Sequence, residues 1–366
     1  MSAPVIKFKS KEQTEFFILL RKRVNKYFKT HGIEPYANWS MILKTAFMIG
    51  LYFIPFIILL SGNIQSNAWS IVLWTIMGFG MAGIGLSIMH DANHGSYSKN
   101  KTVNKMLGLL INFLGGYRIN WQIQHNTLHH SYTNIDGYDQ DIINPLLRMS
   151  PDQKHRWFHR FQAFYAPLLY GIMTLYWSTS KDFEQVFKFN KLQLLQRYGL
   201  TKSKALIRVI LLRLVYFGFT LALPLWLAPV SWWVTLTGFV IMHIICGLLL
   251  ALIFQTAHVI EETEFAQPDD QGTVMSNWAV HQMRTTANFA HGSRVFSWLI
   301  GGLNYQVEHH LFPNICHVHY RNISKIVKKT AREFGVPYHH HKTWVKAMSS
   351  HFGMLNQLGK RQGIKG

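Results

Sequence analysis

Four stretches of this chain, 41–60, 69–89, 207–228 and 232–254, are predominantly apolar, and a helix needs about 20 such residues, at about 1.5 Å rise each, to cross a hydrocarbon layer. This constrains the fold more than anything else in the sequence. The first two runs are separated by 61–68 and the last two by a few residues around Pro229, so the spans form two hairpins. Charged residues make up 15% of the 366, well under the roughly 25% of an ordinary soluble domain. The predicted class is an all-α integral membrane protein with four transmembrane helices and a cytosolic helical cap.

A net charge of +20 suits a nucleic-acid binder, but the sequence contains no groove-reading motif. The Lys and Arg residues lie instead in blocks between the apolar runs. Eight precede residue 41, fourteen fall in 90–206, twelve follow 254, and Lys44, Arg208 and Arg213 sit near the starts of spans. Neither hairpin turn has one. The positive-inside rule therefore places both termini and the long loops in the cytoplasm. Trp69, Trp226, Trp232 and Trp233 fall at the opposite boundary, as an outer aromatic belt would. The expected layout is a cytosolic segment 1–40, a membrane domain 41–335 and a cytosolic tail 336–366, with no cleavable signal sequence in the polar, basic first forty residues. Two shorter apolar stretches, 106–117 and 161–177, are expected to be interfacial or re-entrant. Two cysteines, Cys246 and Cys316, provide neither a disulfide framework nor a Cys-x-x-Cys zinc site.

The chain has twenty histidines. His90 and His94 follow the second span, four residues apart, so a continuing helix puts both rings on one face. The run His125-Asn126-Thr127-Leu128-His129-His130 repeats that step and adds an adjacent ring. Gln306, His309 and His310 stand at i, i+3 and i+4, and His258 lies just past the fourth span. All four sets fall on the same side of the membrane. One such pair is unremarkable, but this coincidence predicts a metal site, and eight imidazoles exceed the three or four protein ligands of a single tetrahedral zinc. Two metals are expected. Asp91, Asn126, Asp136, Asp139, Asp141, Glu261, Glu262 and Glu308 stand near these histidines and could orient them, Glu261 and Glu262 most suggestively; the alternative for each is capping or surface solvation. His243, inside the fourth span, is read as a packing residue. His155, His159, His339, His340, His341 and His351 are read as solvated or interfacial, and His281, His291, His317 and His319 are left open, with His281 the best candidate for a supporting role.

The segments H-D-A-N-H at 90–94, H-N-T-L-H-H at 125–130 and Q-V-E-H-H-L-F-P at 306–313, in this order around four spans, resemble the three histidine boxes of the integral-membrane fatty acid desaturases. The resemblance covers residues 40 to 335. It implies that His90, His94, His125, His129, His130, His309 and His310 are catalytic ligands of a di-iron centre, with His258 matching the further ligand histidine between boxes two and three. Gln306, where many members have histidine, is counted with them; a glutamine there is typical of the front-end subgroup, which acts between an existing double bond and the carboxyl end. It also implies dioxygen as co-substrate and a fatty acyl substrate, on coenzyme A or in a phospholipid of the bilayer. The His-Pro-Gly-Gly haem segment of most front-end members is missing from the sequence, so electrons are expected from a separate donor such as ferredoxin or cytochrome b5.

Imidazoles suit iron, zinc, copper and nickel alike. From the residues alone, an acyl hydroxylase on the same scaffold, a single-zinc membrane hydrolase and a histidine-rich metal transporter remain alternatives; the transporter should place its ligands within the spans, where only His243 lies.

Overall fold

The computed structural model describes residues 6–10 and 14–360. Its elements run in chain order as α1 (Thr14–His31), α2 (Trp39–Leu60), α3 (Asn67–His94), α4 (Lys101–Gly108), α5 (118–132), α6 (Gln162–Gly171), α7 (Asp182–Lys191), α8 (Lys202–Leu227), α9 (Trp232–His258), α10 (Trp278–Arg284), α11 (Arg294–Leu299), α12 (Gln306–Leu311), α13 (Tyr320–Glu333) and α14 (Trp344–Gly359). Helices α2, α3, α8 and α9 are the four, among the described residues, long and apolar enough to cross a membrane. Two short parallel strand pairs complete the fold: β1 (Lys7–Phe8) with β2 (Thr273–Val274), and β3 (Ala287–Phe289) with β4 (His339–His341).

The first hairpin is set by local chemistry. Asn38 accepts the Met41 N–H at the start of α2, and Ser66 accepts the Trp69 N–H at the start of α3, the usual way for an N-cap to satisfy an orphan donor. Close packing then depends on small residues, because in lipid the hydrophobic effect does not draw helices together. A Cβ on Gly80 would come within 2.6 Å of the Tyr52 backbone nitrogen, and one on Gly238 within 2.1 Å of the Trp74 ring. These contacts seat α3 between α2 and α9. The two hairpins therefore meet through α3 and α9, whereas α8 stands aside: 22% of its apolar window is buried against 67% for α3.

The stretch after residue 161 packs beside α9. The Thr174 hydroxyl donates to His243 O (2.9 Å) and meets His243 Nδ1, whose Nε2 accepts from Tyr216 OH at 2.8 Å. His243 is thus the hydrogen-bonded packing residue expected of it. One reading needs amending. Arg213 lies eleven residues into α8, not near its start, and is buried in an ion pair with Asp182 while also donating to Trp177 O. A second correction concerns His351 and His159, read as solvated or interfacial. His351 is fully buried on α14, between Tyr170 OH (2.8 Å) and Val259 O (2.7 Å), and His159 is 3% exposed. The polar residues around them in sequence face outward, while these two face the helices beneath.

Both ends of the described chain belong to the cap. Helix α1 lies along α13, and β4 and α14 close over α9 and the segment 161–177. Residues 1–5, 11–13 and 361–366 of the two predicted cytosolic segments lie outside the described residues.

Candidate metal centre

Two helices carry ligand candidates past the ends of their apolar runs. Helix α3 continues through His90 to His94, and α9 continues to His258, so the membrane-length helices themselves deliver three of the imidazoles. The backbone widens as it arrives. Residues Ile84–Met89 form a π-turn just before His90, and Gln122–His129 is π-helical within box two. A π-turn closes i to i+5 rather than i to i+4. Consequently His125 faces His130 as well as His129, with ring centroids 4.8 and 5.2 Å away. The sequence reading assumed an α-helical step here; the wider turn lets one short segment present three rings.

Packing brings the boxes together. One ring nitrogen from each of His90, His94, His125 and His309 lies within 4.8 Å of the others, as do those of His129, His258 and His310, and those of His130, His309 and His310. His309 and His310 link the groups. All eight predicted histidines therefore converge, and among them only His94 is more than slightly exposed. Gln306 is buried one helical turn before His309 and His310, with neither end of its carboxamide hydrogen-bonded.

Five of the eight imidazoles have a partner on the remote nitrogen, which turns the other nitrogen inward, whereas Nδ1 of His90 and of His130 has no hydrogen-bond partner. His125 Nδ1 lies 3.2 Å from Asp141, His129 Nδ1 3.0 Å from Asp139, His258 Nδ1 3.2 Å from Thr285 O, and His310 Nδ1 2.8 Å from Gln282 Oε1. Each partner can only accept, so a proton sits on Nδ1 and Nε2 is turned inward, with its lone pair free in His125, His258 and His310. His309 Nδ1 meets Tyr320 OH at 3.2 Å. The Nε2 atoms of His94, His258, His309 and His310 are buried without a hydrogen-bond partner. His125 Nε2 lies 3.3 Å from Nε2 of both His90 and His130, although it has no proton to give them. Buried orphan acceptors are costly, and lone pairs turned toward one another suit shared cations. The donor set fits a pair of transition-metal ions, with carboxylate, amide and carbonyl groups behind the imidazoles as metal sites commonly have.

Charge is arranged to match. Burial and the neighbouring imidazoles hold His130, His309 and His310 well below the usual histidine range, and burial lowers His125 to about 3 despite Asp141. Burial also opposes charge on His129, but Asp139 and Asp141 more than offset it and push that ring up to about 9. Of these five, then, His129 alone carries a second proton near neutrality. A cation binding there must displace it, so metal uptake at pH 7.5 is expected to release about one proton per chain. Above pH 9 the release should vanish. Titration calorimetry in two buffers of different ionisation enthalpy reads this number directly, and a release of zero at pH 7.5 would contradict it.

The family model described as fatty acid desaturase matches residues 66–342. The chain belongs to the fatty acid desaturase family. It is 35% identical to an sn-1 linoleoyl-lipid 6-desaturase from Synechocystis sp. over 98% of this chain and 99% of that one. An acyl-lipid (8-3)-desaturase from Physcomitrium patens is also 35% identical, over 97% of this chain and 74% of its own length, and a Delta(5) fatty acid desaturase from Dictyostelium discoideum is 30% identical over 95% and 76%.

In this family member, several supporting residues have no sequence signal. Gln282, Thr285 and Tyr320 belong to no box, and Thr133 earns its place by touching both His310 Nδ1 (3.4 Å) and Gln282. His281 is in that layer too, its ring against Thr133 O at 2.9 Å. Glu261 and Glu262, the most suggestive acids by position, go elsewhere: the Glu261 carboxylate accepts from Gln357, and that of Glu262 accepts from Ser350 and faces His341. Helix α9 ends at His258, so their three- and four-residue spacing has no helical meaning. Glu308 turns away from the imidazoles toward Asn288 (2.8 Å) and Tyr338 (3.0 Å), and burial raises its carboxyl to about 8.

Behind His90 lies a chain that the sequence did not suggest. Asp91 Oδ1 is 3.7 Å from His90 Nδ1, Asp91 Oδ2 is 2.7 Å from His317 Nδ1, and His317 Nε2 is 2.7 Å from Lys44 Nζ. Lys44 is 1% exposed, five residues into the first membrane-length helix. Cys316 is close enough to Asp91 and His317 to form a further group of this kind, but the Lys44 ammonium already supplies the cation there.

Proposed function

We propose that this chain is a membrane fatty acyl desaturase which uses dioxygen and a pair of iron ions to place a cis double bond in an acyl chain of a membrane lipid. His90, His94, His125, His129, His130, His258, His309 and His310 would hold the metals, with Gln306 facing them. The observation that carries this reading is the convergence of eight imidazoles at the ends of two membrane-length helices in a member of the desaturase family. The names of the relatives point to an acyl-lipid substrate, and Gln306 to front-end regiochemistry. The Lys and Arg distribution supports a cytoplasmic side for the site and the termini.

When bound, the iron pair supplies the oxidising power to take hydrogen from unactivated methylenes. In balance, one dioxygen, two electrons and two protons combine with the two hydrogens lost from –CH2–CH2– to leave –CH=CH– and two waters. The protein's own part is placement. Trp121 stacks 4.6 Å from the His125 ring and 5.7 Å from those of His90 and His94, and Phe254 lies about 6 Å from His90 and His125. These two rings give an acyl chain an apolar wall beside the imidazoles and keep water from the reacting carbons, and the methylene held against them determines the position of the double bond. Asp139, Asp141, Gln282 and Thr285 hold the imidazoles so that their lone pairs stay inward.

Lipid analysis of a host expressing the chain and supplied with linoleic acid tests this. A new double bond on the carboxyl side of the existing pair is expected, and it should disappear with His309→Ala. Hydroxylated acids without new unsaturation, or one zinc per purified chain with no oxygen requirement, would overturn the reading.

A further inference from the structure

Desaturation consumes two electrons that must arrive from outside, and one face of the cap is built to receive their source. This inference rests on the desaturase reading. We propose that the face formed by α1 and α13 is the docking surface for an acidic one-electron carrier, which delivers one electron in each of two encounters and leaves oxidised by one electron each time.

Helix α13 has two faces with different duties. Arg321, Lys325, Lys328, Lys329 and Arg332 are exposed along the outside, while Tyr320, Ile323, Val327 and Ala331 are buried beneath. Tyr320 OH is the group 3.2 Å from His309 Nδ1, so the basic surface stands a single side chain away from a candidate ligand. Helix α1 widens the patch. Arg23 joins it to α13 through Glu333 (2.6 Å) and Thr330 (2.8 Å), and Tyr27 accepts from Asn322 at 2.9 Å. Arg21, Lys22, Lys26 and Lys29 then extend the exposed positive charge. These two helices carry two acids, Glu333, which is paired with Arg23, and Glu15.

On the other flank of α1 a cleft of about 720 Å³ opens, with Arg21 and Lys29 at its rim and Phe17, Trp278 and Phe312 among its walls. Its floor also reaches the centre: the Trp278 indole N–H donates to His130 O at 3.3 Å, and Phe312 lies two residues after His310. Positive charge over a short route to the metals is what steers and seats an acidic carrier.

A lipid surface is the other occupant such charge could attract, and the apolar residues argue against it. Helix α13 exposes no large hydrophobic side chain and α1 exposes Ile18, whereas α6 exposes Phe164 at 87% and Leu168 at 67%. The α1–α13 face is made for water and a soluble partner, and α6 for a bilayer.

The test uses the full chain in nanodiscs of neutral phosphatidylcholine, with reduced [2Fe–2S] ferredoxin and the soluble haem domain of cytochrome b5 as probes. Lys325→Glu with Lys329→Glu is expected to raise the KM for the carrier about tenfold and flatten its salt dependence. The KM for lipid should not move. Neither should the double bond formed per chain when the protein is first reduced with dithionite, freed of it and then given oxygen. Lys325→Gln with Lys329→Gln should show a smaller change of the same kind and guards against misfolding of the charge reversal. Lys188→Glu with Lys191→Glu, on α7, should leave the carrier KM within twofold of the parent. The docking proposal fails alone if the parent desaturates after prereduction while the α13 variants keep the carrier KM, if the α7 variants raise it equally, or if an effect appears only in bilayers containing anionic lipid. A parent that forms no double bond after prereduction would bring down the desaturase reading and the docking with it.

Discussion

Replacing His309 with alanine is expected to remove product below detection and to lower bound metal from about two ions per chain to one or fewer. The reason is its place in the centre. His309 shares one group of nitrogens with His90, His94 and His125 and another with His130 and His310, and its ring lies 4.6 Å from those of both His90 and His130. Box two reaches the two groups with two different residues, His125 and His130, whereas His309 belongs to both. His129→Ala should match it in product but retain more metal, since His129 belongs to the group with His258 and His310. The comparison variant is His351→Ala. That ring is equally buried, between Tyr170 and Val259, and its loss leaves those two groups unpaired at about 1–3 kcal/mol each. It should therefore lower thermal stability while leaving two ions per chain. Elemental analysis of the purified variants, beside product analysis, separates the outcomes; a His309→Ala protein that keeps both metals would refute the assignment.

Lys44→Met is the second large effect, and it acts at a distance from the metals. Removing the ammonium leaves Asp91 as a buried charge facing His317 and His90, a loss of about 3–5 kcal/mol where one partner of a buried pair is deleted. The consequence for function runs through His90. Among the described residues, Asp91 is the one carboxylate near the remote nitrogen of that ring, and weakening such outer partners typically costs about 10–100-fold in metal affinity or activity. Metal retention against a chelator and product yield should both fall by that order. The double variant Lys44→Met with Asp91→Asn removes both charges, so it should regain stability without regaining metal affinity. If stability and metal retention recover together in the double variant, Lys44 serves packing only and Asp91 does not hold His90.

Much of the candidate centre can be read from the residues because its ligands come in short runs. His90 and His94, His125 to His130, and His309 and His310 each show their step within six residues, and a helical face is a local property. Their supports are different. Gln282 lies 28 residues from His310, Thr285 lies 27 from His258, and Lys44 is 273 from His317. No spacing rule joins such pairs, since only packing brings them within hydrogen-bond reach. Glu261 and Glu262 illustrate the opposite case, in which proximity along the chain suggests a partnership that the end of α9 at His258 removes.

The sequence by itself determined the four membrane-length helices and the histidines that meet, because apolar length and helical step are carried by contiguous residues. The tertiary structure alone decided that α3 and α9 form the central contact while α8 stands aside, that π-turns present box two, that of the nearby acids Asp139 and Asp141 support the rings while Glu261 and Glu262 do not, and that Gln282, Thr285 and the Lys44–His317 pair join them. A buried polar atom must find its partner in whatever segment the packing brings to it, and that segment is set by the shape of the whole molecule rather than by its neighbours in the chain.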